Sequence, residues 1–257
     1  MRLPLSLLPL LLVTACATPA PYSGLLSNYG GLLVREGAVR TSLAERKDQE
    51  GLAAVTSVIL RPTEFAKNSQ TDWLNPAERI LLLREIDAQL CFELSEHYAI
   101  QPEADRADAE VRAVVSRAAP TGRVASAASA AAGVFIPGPI GLRMPGGLGG
   151  LGMEAEMIGP QGRQLAALVW NRDAKLIGMD NPSLSRLGDA LQLAEPFADA
   201  AGAAMSPTGV KSRGVDKLDP CADFGPRIRL EGIAARLVTG LYVPQMSGAS
   251  PKASGTQ

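Results

Sequence analysis

Aromatic side chains are scarce in this 257-residue chain: Phe, Trp and Tyr together make up 4%. That leaves little to stack on bases or sugar rings. A net charge of −1 gives no electrostatic reason to expect nucleic acid as a partner. Histidine occurs once, at His97, so no two-histidine metal site can form. Three cysteines, Cys16, Cys91 and Cys221, are too few for a structural zinc site with four thiolates. No Gly-x-Ser-x-Gly elbow presents a nucleophile. No apolar run reaches the roughly 20 residues needed to span a bilayer.

A short apolar run is nevertheless present, from Leu3 to Val13, after a start charged by Arg2. Small residues follow it, as in a secretory signal. The end of the run, Val13-Thr14-Ala15-Cys16, resembles the lipobox of bacterial lipoproteins. That resemblance implies removal of residues 1–15 and lipidation of Cys16. Stable anchoring takes more than one chain, and a triacylated Cys16 meets that condition. Ala17, which is not acidic, points to the outer membrane, facing the periplasm. With Cys16 modified, Cys91 and Cys221 remain as an even pair in an oxidising compartment. They form either a disulfide or two buried thiols; spacing alone does not decide between these.

The rest of the chain, 46% apolar and 20% charged, suffices for one globular core. Residues 16–50 read as anchor and tether, with 40–51 an exposed turn or short helix. Residues 51–245 read as a single domain, and 246–257 as a disordered tail. "AAVTSVILRP" reads as a strand buried on both faces and ended at Pro62. A helix begins at Asn75, with Pro76 at its first position and Glu78 completing a capping box. Its apolar stripe is Leu83, Ile86, Leu90 and Leu94, and it runs to about Tyr98. "ADAEVRAVVS" alternates as a half-solvated strand. A hairpin follows, with Met153, Ala155 and Met157 alternating with Glu154 and Glu156 and a turn at 159–162. Glu154 and Glu156 read as its solvated face. A second helix is capped at Asn181 or Ser183, with Pro196 kinking or restarting it. The fold class is thus α+β: a small mixed sheet in strand-helix-strand-strand-strand-helix order, with helices on one face.

"SGLLSNYGGL" (23–32) and "GMEAEMIGPQGRQLAALVWNRDA" (152–174), together with the lipobox, resemble a proteobacterial lipoprotein family known as domain of unknown function 3313. The resemblance implies a periplasm-facing lipoprotein with no assigned activity and no known catalytic residues. The element order is loosely similar to that of envelope assembly lipoproteins such as curli secretion factors.

"GLGGLG" (147–152) has Gly-x-Gly-x-x-Gly spacing, but a strand follows it rather than a helix, so a pyrophosphate finds no helix N-terminus there. His97 lies one turn after Leu94, where a lone histidine more often packs than catalyses. The long Gly- and Pro-rich stretch 129–150 is either an exposed flap or a crossover buried against the sheet. Its apolar residues, with the start of the next strand, are candidates for an interaction loop: Val134, Phe135, Ile136, Ile140, Leu142, Met144, Leu148 and Leu151. No catalytic residue, cofactor or metal is expected. The expected role is a lipid-anchored, non-enzymatic protein-interaction or assembly module, with an envelope protein or its own copies as partner. The alternative is a lipid- or small-ligand-binding lipoprotein.

Overall fold

The computed structural model describes residues 21–35, 41–133, 141–142, 148–175, 177–178, 180–214 and 218–249. An irregular segment, 21–32, leads into β1 (Leu33–Arg35) and β2 (Thr41–Lys47). Then come α1 (Gln49–Ala53), β3 (Ser57–Leu60), β4 (Glu64–Gln70), α2 (Pro76–Ser95) and β5 (Ala99–Ile100). The middle of the chain holds β6 (Ala109–Ala119), α3 (Arg123–Gly133), β7 (Gly141–Leu142), β8 (Gly150–Ile158), β9 (Gln164–Asp173) and β10 (Ile177–Gly178). Four helices close the described chain: α4 (Gly188–Gln192), α5 (Ala194–Met205), α6 (Leu230–Thr239) and α7 (Pro244–Ser247).

Among the described residues an eight-stranded sheet runs β1-β2-β9-β8-β6-β3-β5, with β4 also paired to β6. β3 is parallel to β5 and β6, and β4 is parallel to β6; the path from β1 through β2, β9 and β8 to β6 is antiparallel. This is the expected mixed α+β sheet, with more strands than the sequence indicated. One face is apolar by alternation: Val111, Ala113 and Val115, Met153, Ala155 and Met157, and Ala166, Leu168 and Trp170 pack on Ile86, Leu90 and Leu94 of α2 and on Phe197 and Ala201 of α5. Phe197 tilts against Trp170 with ring centroids 5.8 Å apart.

The N-terminus of α2 forms as its sequence dictates. The Asn75 side chain accepts from the Glu78 N–H, and the Glu78 carboxylate accepts from the Asn75 N–H. The helix ends at Ser95, one turn short of the expected end. It is also buried on a second side. There the segment 218–249 lies over Ala88, Cys91 and Phe92 and brings Cys221 and Ala249 into contact with them. Cys91 and Cys221 are disulfide-bonded, with Cα atoms 5.8 Å apart.

Several expectations are corrected. Residues 21–35 and 41–50 are not a tether: β2 pairs with β9 from Thr41↔Arg172 to Lys47↔Ala166. β2 lacks a strand's alternation because all its residues are half-buried, so its charged side chains reach water from within a strand. The second helix starts at Gly188, not near Asn181: the Ser183 oxygen accepts the Ser185 N–H in a local turn while its hydroxyl donates to the Tyr242 carbonyl, and no side chain caps the helix. It restarts at Ala194, two residues before Pro196, which then sits in the first turn where a missing N–H costs nothing. Residues 246–249 are not a tail: Ala249 is buried and donates its N–H to Glu85. Leu151 is no loop residue but a wholly buried core residue of β8.

Candidate functional site: a strap fastened by two buried glutamates

Glu154 and Glu156 are 1% and 0% exposed, not solvated. They point away from the helices, because their neighbours Met153, Ala155 and Met157 occupy the helix-side face. An ionised carboxylate there needs donors. The N-terminal segment supplies them. Glu154 accepts the Ser23 N–H at 2.6 Å, the Ser23 hydroxyl at 2.5 Å and the Tyr29 hydroxyl at 2.5 Å. Glu156 accepts the Ser27 N–H and hydroxyl, both at 2.8 Å, and the Gln164 amide at 2.7 Å, and it pairs with Arg112.

The segment crosses the sheet as a strap. At one end the Tyr22 carbonyl accepts from Asn68 of β4. Ser23 and Ser27 fasten it over β8. Leu26 then covers Ala167 and Val169 of β9, flanked by Leu25, Tyr29 and Leu32. At the far end Arg46 of β2 donates to the Gly30 carbonyl, and Gly31 takes φ +73° before β1 begins. Tyr22 stacks on Tyr29 with centroids 4.4 Å apart. Burial, and then the bond to Glu154, push the Tyr29 phenol above its ordinary value. The arrangement binds a polypeptide segment, its own.

Two surface grooves flank the β3–β6 region. One, of about 660 Å³, opens beside Ser27 and is lined by Asp108, Glu110, Arg112 and Pro160. The other, of about 630 Å³, is lined by Leu60, Asp87, Ile100, Val111, Phe224 and the disulfide residue Cys91. Asp87 lines the second, and burial raises its carboxyl although it accepts the Thr63 N–H at 2.8 Å. Among the described residues no group of three or more His, Cys, Asp or Glu could hold a metal ion.

The remaining sequence candidates are dispersed. Cys16 lies outside the described residues, as do Val134, Phe135, Ile136, Ile140 and Met144. Leu142 sits on β7, which pairs with β10. Leu148 is half-buried. Gly150 and Gly152 lie within β8, where an added Cβ would run into Asp173 and Asn171 respectively. Gly150 and Gly152 therefore serve close strand packing. His97 is half-buried, and burial lowers its imidazole below the ordinary value. Nothing local in the sequence assigns a role to Ser23, Ser27 or Tyr29. The available signal was acidic residues at alternate positions of a strand whose other residues are apolar, together with a serine- and tyrosine-bearing segment elsewhere.

A family model described as protein of unknown function, DUF3313, matches residues 21–201. The chain belongs to this family. The match begins with the strap and ends within α5, so it contains both halves of the clasp. No curated protein matches the chain. Among solved structures, a PelC dodecamer from Paraburkholderia phytofirmans is similar over 62% of this chain and 96% of that one, at 10% identity and a TM-score of 0.36. A DUF4136 family protein from Bacteroides thetaiotaomicron covers 65% of this chain and 98% of its own, at 9% identity and a TM-score of 0.34. No described helix is long and apolar enough to cross a membrane.

Proposed function

We propose that this protein is a non-enzymatic protein-interaction or assembly module of the cell envelope. In this reading a lipid on Cys16 holds it at the outer membrane, facing the periplasm. The observation that carries the reading is the strap. Ser23, seven residues after Cys16, is hydrogen-bonded into the sheet through Glu154. Seven residues span at most about 25 Å, so a lipidated Cys16 keeps the domain at the bilayer surface instead of on a long leash. The Cys91–Cys221 disulfide fits an oxidising compartment.

A partner finds an apolar surface on α6. Leu230, Leu237 and Val238 are 70%, 78% and 85% exposed on the side opposite Gly232, which is buried against α7. Contiguous exposed apolar residues mark interaction sites more often than isolated ones.

Two experiments in intact cells test the proposal. Radiolabelled palmitate enters the wild type and not Cys16→Ser, and the variant leaves the membrane fraction. A photo-cross-linker at position 237 yields one adduct of discrete mass, which is lost when Leu230 and Val238 are both changed to Asp. No palmitate label refutes the anchor. Absence of a discrete adduct refutes the interaction surface.

A second reading rests on the groove of about 630 Å³ beside the disulfide, where Leu60, Leu90, Ile100, Val111 and Phe224 offer apolar wall to a lipid chain or other small ligand beside the Asp87 carboxyl. It predicts a ligand that co-purifies and is displaced when Ile100, half-exposed on the groove wall, becomes Trp.

A further inference from the structure

We propose that the contact between α2 and α5 is a proton-operated latch. A proton on Glu93 keeps the C-terminal half of α5 and the segment 206–214 seated on the domain, and its loss releases them.

The geometry places Glu93 directly on the backbone of α5. A Cβ added at Gly202 would meet the Glu93 Cγ and come within 2.7 Å of its Oε1. The carboxyl is therefore shut off from water on that side. Unlike Glu154 and Glu156, it receives no donor among the described contacts. Two further carboxyls of the same sign surround it. Asp199 precedes Gly202 by one turn of α5, and Glu96 follows Glu93 by one turn past α2. Burial first, and then the charges of Asp199 and Glu96, push the Glu93 carboxyl up to about 7. Asp199 is raised by burial and by Glu96.

The cations on neighbouring elements are directed elsewhere. Lys47 of β2 donates to the Ala203 carbonyl at 2.6 Å. Arg213 donates through its side chain to the Tyr98 carbonyl at 3.0 Å, while its N–H goes to the Glu96 carbonyl at 2.7 Å. His97 is kept towards its neutral form, by burial first and then by Lys47, which outweigh the opposing pull of Glu96.

The contacts that seat the latch end on the same stretch. The Tyr98 hydroxyl donates to the Met205 carbonyl at 2.6 Å, and the Gln49 and Thr208 groups bond each other. A folded-state carboxyl held above its ordinary value stabilises the seated form at low pH. That stabilisation is lost as pH rises through the folded value. The latch therefore opens on passing from mildly acid to mildly alkaline conditions. Opening hydrates three carboxylates and uncovers the apolar side of α5 around Ala201 and Met205, which is buried when closed.

Hydrogen exchange on the full, disulfide-intact chain tests this, with rates corrected for their intrinsic pH dependence. Amides of 200–208 exchange about tenfold or more faster at pH 8.5 than at pH 5.5, allowing for the half-exposed position of Glu93. Glu93→Gln, a near-isosteric change at a half-exposed site, removes the pH dependence. Asp199→Asn reduces it. An unchanged pH dependence in Glu93→Gln overturns the proposal. So does a Glu93 carboxyl that titrates by NMR in the ordinary glutamate range.

Discussion

Breaking the Cys91–Cys221 bond opens a loop whose ends are 130 residues apart and which contains four of the eight strands of the sheet, β5, β6, β8 and β9. In the chain-entropy account, closing a loop of that size restricts the unfolded chain by about 5 kcal/mol. That equals the lower end of the whole stability expected for a domain. Both cysteines are nearly inaccessible, at 3% and 0% exposure, so a reductant acts on the unfolded protein rather than the native one. The double variant Cys91→Ala, Cys221→Ala avoids that delay. Urea titrations followed by far-UV circular dichroism compare it with the oxidised wild type. With a slope of about 2 kcal/mol per molar urea, the midpoint falls by about 2.5 M or the variant fails to fold. A shift below about 0.5 M would mean that the segment 218–249 is held by packing alone and that the covalent link does not stabilise the fold.

Further outcomes follow from single positions. Gly149→Ala destabilises by about 1–3 kcal/mol, because its Cβ would stand 2.7 Å from the Ala119 carbonyl, a backbone atom that cannot step aside; an unchanged thermal midpoint contradicts the packing role given to this glycine. Asp108 accepts from the Thr56 and Ser57 N–H groups, at 2.9 Å each, and the Thr56 side-chain bond, first among several, holds its carboxyl below the ordinary value. The stability it lends is present above the unfolded value and lost as pH falls through the folded one, so Asp108→Asn flattens the acid limb of a pH–stability curve and leaves the neutral region nearly parallel to wild type. Leu151→Asp abolishes folding or solubility, since the site is wholly buried, whereas Leu237→Asp, at a site 78% exposed, changes the melting free energy by less than about 0.5 kcal/mol.

Elements specified by local chemistry were legible in the sequence. The Asn75–Glu78 capping box, the alternation of Val111, Ala113 and Val115, and the β8–β9 hairpin with positive φ at Gly162 all depend on residues a few positions apart. Elements decided by distant partners were not. Glu154 and Glu156 carry the pattern of a solvated strand face, and alternation does not distinguish water from Ser23, 131 residues earlier in the chain. β2 exposes charge because its strand is half-covered, so it reads as a loop. The second buried side of α2 reflects the segment 218–249, which is drawn over it by the disulfide, by Arg229 near Glu85 and by the Ala249 N–H. The DUF3313 family joins the two motifs that the clasp brings together, and the structure gives the physical reason for reading them as one unit.

Two buried carboxylates, Glu154 and Glu156, fasten residues 23–29 to the outer face of the sheet. Amide exchange at Ser23 and Ser27, measured by NMR in the wild type and in Glu154→Ala, Glu156→Ala, tests it most directly. Each of these amides donates to a carboxylate, a bond worth about 1.5–3 kcal/mol. The account predicts about 10- to 100-fold protection in the wild type and exchange at free-peptide rates in the variant, with the β8–β9 ladder still protected. Free-peptide rates in the wild type, or undiminished protection in the variant, would contradict it.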